Sequence, residues 1–118
     1  YVSVLNGCDY SYANHWKNAA HLINNAERAR EIETAFTTKS PEAAFQGAEL
    51  ALLRYAAKLT ETPGLMEESD VAALREEGLD DGQILEANQI ICYFNYVNRS
   101  LNGLGVTTAG DIVGFYSD

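Results

Sequence analysis

Apolar residues recur at spacings of three and four along nearly the whole chain, and few windows alternate apolar and polar residues as a half-buried strand would. "YVSVLNG" reads as the end of a helix, with Gly7 after Asn6 in the usual stopping position. A second helix is predicted from Cys8 or Asp9, with Asp9 as a candidate N-cap, to about Asn24. Its Tyr12, Trp16, Ala19, Ala20 and Ile23 make a core-facing stripe. "NNAERAREIETAF" predicts a short third helix whose surface carries Glu27, Arg28, Arg30, Glu31 and Glu33. "TTKSPE" is a start signal, with Ser40 as N-cap, Pro41 at the first helical position and Glu42 in the first turn. The helix it opens is predicted to continue through "AELALLRYAAKLTE" until Pro63-Gly64 breaks it. "EESDVAALREEG" is a further helix, capped by Ser69 or Asp70 and stopped by Gly78. Asp80 or Asp81 then caps the longest helix, from about Gly82 to Leu101, which Gly103 and Gly105 end before the tail "TTAGDIVGFY". The pattern predicts one all-α domain of five to six helices over residues 1–118.

Composition narrows the class without changing this picture. A chain of 118 residues suits one core, and 47% hydrophobic with 21% charged residues is an ordinary globular balance. Seventeen acidic against eight basic residues leave a formal charge of −9. That excludes nonspecific nucleic-acid binding, which needs a Lys/Arg surface to displace phosphate counterions. No apolar run reaches the ~20 residues of a membrane-spanning helix, and no stretch resembles a signal peptide. Two cysteines far apart in the chain make no disulfide scaffold, so a cytoplasmic location is the default expectation. Because the chain starts at Tyr1, an N-terminal portion is expected to be missing from it.

The candidate chemistry lies in "GCDYSYANHW", residues 7–16, which holds one of two cysteines, one of two histidines and the only tryptophan. Cys8, Ser11 and His15 recur at spacings of three and four and share one helical face. A cysteine at a helix N-terminus meets unpaired N–H groups that favour an anion, and an imidazole on the same face can take up its proton. Cys8 and His15 are two turns apart, ~10 Å along the axis, so Ser11 is the position through which they would communicate. The same residues also suit ordinary packing, a lone cysteine often being a small buried hydrophobe. A Ser11–His15 hydrolase would need an oxyanion hole and an orienting acid, and the sequence marks neither. Cys8 and His15 are too few ligands for a closed zinc site, so neither a metal nor a cofactor is expected.

With those residues in view, the chain resembles the alkylhydroperoxidase D-like and carboxymuconolactone decarboxylase superfamily, most closely its peroxidase-related branch. That branch carries Asn-Gly-Cys-x-Tyr-Cys-x-x-x-His; here the segment is "NGCDYSYANH", matching at Cys8, Tyr10 and His15, with Ser11 in place of the second cysteine. The downstream stretch from "LLRYAAKLTETPG" to "NRSLNGLGV", including "YFNYVNR" at Tyr93 to Arg99, is similar as well. The resemblance implies an all-helical alkylhydroperoxidase D-like fold, a homo-oligomer, and a cysteine pair that reduces organic hydroperoxides. The second cysteine attacks the peroxide, the first resolves the sulfenate, and the histidine relays a proton together with an upstream glutamate that would fall before Tyr1.

Carried over, Cys8 is the resolving thiol, His15 the relay and Tyr10 a neighbour of the reacting groups, while the attacking position is Ser11. A serine hydroxyl is neither ionised near neutral pH nor redox active. The implied partners are a small organic hydroperoxide and an external thiol reductant. Three alternatives for Ser11 stay open: an engineered substitution, a one-cysteine peroxidase, or a cavity with another use. The functional alternatives are a non-redox, decarboxylase-like enzyme or binder and a helical module without catalysis.

Asn88, Asn95, Asn98 and Asn102 form an uncharged polar stripe on the longest helix, expected to pack against another helix of the same or a partner subunit in preference to a ligand role. Arg99 is expected to meet an acidic residue there, and Tyr93, Phe94 and Tyr96 to be core or interface aromatics. Cys92, within "QIICYF", is expected to be buried and inert.

Overall fold

The apolar periodicity becomes six α-helices, α1 (Val2–Leu5), α2 (Asp9–Ile23), α3 (Ala26–Thr37), α4 (Gly47–Glu61), α5 (Glu68–Glu76) and α6 (Asp81–Gly103), with no strand among the described residues. The structure is a computed structural model that describes residues 1–116. Short 3-10 turns at Pro41–Ala43 and Pro63–Leu65 precede α4 and α5. No helix among the described residues is long and apolar enough to cross a membrane.

Most helix ends follow the capping rules, with shifts of one to three residues. Gly7 takes φ +60°, which lets the chain reverse between α1 and α2 without Cβ strain. The N-cap of α2 is Cys8 rather than Asp9, which is already helical and lends its charge to the first turn. Asn25 caps α3 by accepting the Arg28 N–H at 3.0 Å. The N-cap of α5 is Glu67, not Ser69 or Asp70; Asp70 acts from the third helical position, its Oδ2 accepting the Glu67 N–H at 2.7 Å. On α6, Asp80 and Gln83 form a reciprocal capping box, with N–H···O distances of 2.8 and 2.9 Å.

The helix predicted to run from Pro41 through Glu61 is in fact two elements. A 3-10 turn ends at Ala43, and α4 starts at Gly47 with φ +59°. Tertiary contacts in the gap explain the break. Phe45 leaves the helical path to stack on Phe36 at 5.5 Å, beneath the Arg28 guanidinium. Arg28 Nη2 also donates to the Ala44 carbonyl at 2.6 Å. Ring burial and a charge-assisted bond outweigh a few turns of helix propensity.

The core is Val2, Tyr55, Ala56, Leu74, Ile84 and Ile91, which joins α1, α4, α5 and α6. α1 sits between α2, α4 and α6 and touches all three, and α3 covers the outer side of α2. Past α6 the tail returns to α2, where Asn14 and Asn18 accept the Gly114 and Phe115 N–H groups at 2.9 and 2.6 Å. The Tyr116 ring stacks on His21 at 4.2 Å.

Candidate functional site

The residues singled out on α2 divide between two environments. Cys8 and Ser11 are 1% and 2% exposed, against α1, whereas His15 is exposed. The Cys8 N–H donates to the Ser3 carbonyl at 2.9 Å, and the Cys8 carbonyl accepts the Tyr12 N–H at 2.9 Å. Ser11 Oγ lies 2.9 Å from Ser3 Oγ. The His15 ring sits edge-on to Phe94 at 4.8 Å. Among the described residues no hydrogen bond joins His15 to Cys8 or Ser11, so the shared helical face does not by itself close a relay. Tyr10 is half-buried, and its carbonyl accepts the Asn14 side-chain amide at 2.9 Å.

Ser3 was not marked by the sequence, because a lone serine in a four-residue helix has no spacing signal. Its position becomes meaningful through two long-range partners. Asn98 Nδ2 donates to Ser3 Oγ at 3.2 Å, and the Asn98 side chain is fully buried. Asn98 Oδ1 accepts Asn6 Nδ2 at 3.1 Å, and the same Asn6 amide reaches Asn95 Oδ1 at 3.0 Å. Asn95 donates to Thr60 Oγ1 at 3.0 Å, and Asn102 to the Asn6 carbonyl at 3.1 Å. The asparagine stripe therefore packs against helices of the same chain, as one of its two expected settings required. At its other end Asn88 meets α4 of the same chain, accepting the Tyr55 hydroxyl at 2.7 Å.

Two expectations on α6 are overturned. Arg99 meets amides rather than a carboxylate, Nη1 lying 2.6 Å from Asn95 Oδ1 and 3.3 Å from Asn6 Oδ1. Cys92 is exposed, not buried. Each residue turns a helix by about 100°, so in "QIICYF" Ile91 faces the core while Cys92 and Tyr93 face outward. Of the three aromatics, Phe94 is half-buried, and Tyr93 and Tyr96 are exposed.

The stripe on α2 lines a cavity of about 520 Å³ instead of a closed core. Tyr12, Trp16, Ala19 and Ile23 form one wall, Phe36 and Phe45 another, and Ile90, Ile91 and Phe94 of α6 the third. Ala20 does not line it and borders a second, mixed groove between α2 and α3 instead. Ser3 and His15 both reach the cavity wall; Cys8 and Ser11 do not. Aromatic contacts fix the shape, with Trp16 edge-on to Phe36 at 6.4 Å and Tyr12 parallel to Trp16 at 6.2 Å. Burial, with Glu33 nearby, raises the Tyr12 phenol above its ordinary range, so it stays neutral. The Tyr12 hydroxyl turns toward Glu33 at 3.5 Å. No three potential metal ligands among His, Cys, Asp and Glu gather in the described residues.

This helical arrangement is shared with a solved structure. The chain superposes with a TM-score of 0.79 and 24% identity, over 90% of its length, on an uncharacterized peroxidase-related protein from Silicibacter sp. TM1040. The likeness establishes the common fold. The chain spans about half, 53%, of that protein. The chain matches no protein-family model and no curated protein.

Proposed function

We propose that the chain is a peroxidase-type, thiol-dependent oxidoreductase that reduces organic hydroperoxides, with Cys8 as its remaining redox thiol. One observation carries this reading. Ser3 and His15 both line the apolar cavity, and Ser3 Oγ is hydrogen-bonded to Ser11 Oγ, so the Cys8–Ser11–His15 segment borders it through His15 directly and through Ser3. The peroxidase-related description of the protein sharing the fold agrees with it.

In this chemistry the Cys8 thiolate attacks one peroxide oxygen and the O–O bond breaks. Cys8 becomes the sulfenic acid, and the departing alkoxide takes a proton from His15 to leave as an alcohol. One external thiol condenses with the sulfenic acid and releases water. A second displaces the mixed disulfide and restores Cys8. Ser11 stays hydrogen-bonded to Ser3 and does not change oxidation state. The cavity holds the organic part, and the homo-oligomer implied by the resemblance belongs to the same proposal.

A second reading, a non-redox decarboxylase-like enzyme or binder, is favoured by the absence of Cys8 from the cavity wall while His15 stands in it. Consumption of cumene hydroperoxide with a dithiol separates the two. The unaltered chain should turn over slowly, Ser11→Cys at least tenfold faster, and Cys8→Ala in the unaltered, Ser11-containing background not at all. Turnover that survives Cys8→Ala in that background, or none in the unaltered chain or in Ser11→Cys, removes the redox reading and leaves the non-redox one.

A further inference from the structure

The hydroxyl protons of Ser3 and Ser11 can be assigned from their partners. Ser11 is 2% exposed, and its hydroxyl has one partner, Ser3 Oγ, at 2.9 Å. A buried hydroxyl proton left without an acceptor is costly, so Ser11 is the donor in this pair. Ser3 Oγ then accepts twice, from Ser11 and from Asn98 Nδ2 at 3.2 Å. Both lone pairs are used, and its own O–H has no acceptor among the described residues. Ser3 is itself 6% exposed, but unlike Ser11 it is among the residues lining the cavity, so an acceptor for that donor can reach it only from the cavity side.

The rest of the wall defines what the donor can meet. None of the residues lining the cavity is Lys, Arg, Asp or Glu. The Tyr12 hydroxyl is engaged by Glu33 outside the chamber. An ionised ligand group would give up part of its hydration here, with His15 at the wall as the one side chain able to carry an opposite charge and none able to meet a cation. The volume of about 520 Å³ is within the roughly 300–1,000 Å³ of sites for larger small molecules. A four-carbon hydroperoxide would leave most of it empty.

We infer that the cavity binds an uncharged, largely apolar molecule of about ten carbons or more, bearing one oxygen that accepts the free Ser3 O–H. This names a substrate class for the peroxidase reading and rests on that reading only for the oxygen being part of a peroxide. Binding itself is measurable without turnover, so either idea can fail alone.

Trp16 is the only tryptophan and lines the cavity, so quenching of its fluorescence by a bromine-bearing ligand reports occupancy. The probes are 10-bromodecan-1-ol, 10-bromodecanoate and 10-bromodecylamine at pH 8, alike but for end-group charge. The alcohol is expected to quench saturably and bind at least tenfold more tightly than either ion. Including the ammonium separates exclusion of charge from repulsion of anions by the net charge of −9. Ser3→Ala should weaken the alcohol severalfold. Ala87→Phe, which fills the cavity from α6, should weaken it at least tenfold while helix content is retained. No saturable quenching by the alcohol, an ion that binds as well as the alcohol, or quenching indifferent to Ala87→Phe overturns the inference. Binding unchanged by Ser3→Ala overturns the assigned oxygen contact.

Discussion

At the scale of single residues, the most consequential side chain is Asn98, not a member of the motif on α2. It is fully buried, and both ends of its amide are used, toward Ser3 and toward Asn6. It therefore holds α1 against α6 and orients the serine pair beside Cys8. Removing it leaves a void and strips partners from two polar groups, each of which costs free energy when buried. Asn98→Ala is expected to lower unfolding stability by about 2–3 kcal/mol, measured by urea titration. Asn102→Ala, on the exposed part of the stripe, should cost less than about 1 kcal/mol. Equal losses at the two positions would contradict the burial assigned to Asn98. The sequence showed four uncharged amides in register but not which was buried, because that depends on where α1 lies.

Among elements, α5 is the most clearly held by one ion pair and its cap. Asp70 receives Lys58 Nζ at 2.9 and 2.8 Å on its two oxygens and the Glu67 N–H at 2.7 Å, tying α5 to α4 and closing its first turn. The Lys58 hydrogen bonds, then the Glu67 N–H, hold the Asp70 carboxyl below its ordinary range. A carboxyl depressed in the folded state contributes stability above its unfolded pKa and loses it as pH falls through the folded one. Asp70→Asn should therefore be less stable than the parent at neutral pH. The difference should shrink below about pH 4 and vanish in stronger acid, as followed by thermal melts across pH. A difference that grows on acidification would reverse the assigned sign. Helix ends such as this were legible to within a few residues, since caps are local chemistry. The break before α4 was not, because the Phe36–Phe45 stack and the Arg28–Ala44 bond join residues distant in sequence.

For the whole molecule, the small core must be balanced against a large apolar chamber. Leu74, 1% exposed, packs α5 into the same cluster as Tyr55 of α4 and Ile84 and Ile91 of α6. Leu74→Ala is expected to cost about 3 kcal/mol by lost transfer energy and an unfilled cavity, read as a lower urea midpoint with an unchanged slope. A cost below about 1 kcal/mol would mean that α5 collapses onto its neighbours or is not integral to the core. By itself the sequence determined an all-helical chain, most helix ends and the face shared by Cys8, Ser11 and His15, because periodicity and capping act within one or two turns. Only the tertiary structure decided that Ser11 is buried against Ser3 while His15 is exposed at a cavity, that Cys92 faces outward, and that the stripe of Tyr12 and Trp16 borders open space. Those outcomes depend on which helix lies opposite each face, and opposing helices are brought together by long-range packing that a residue spacing along one helix does not encode.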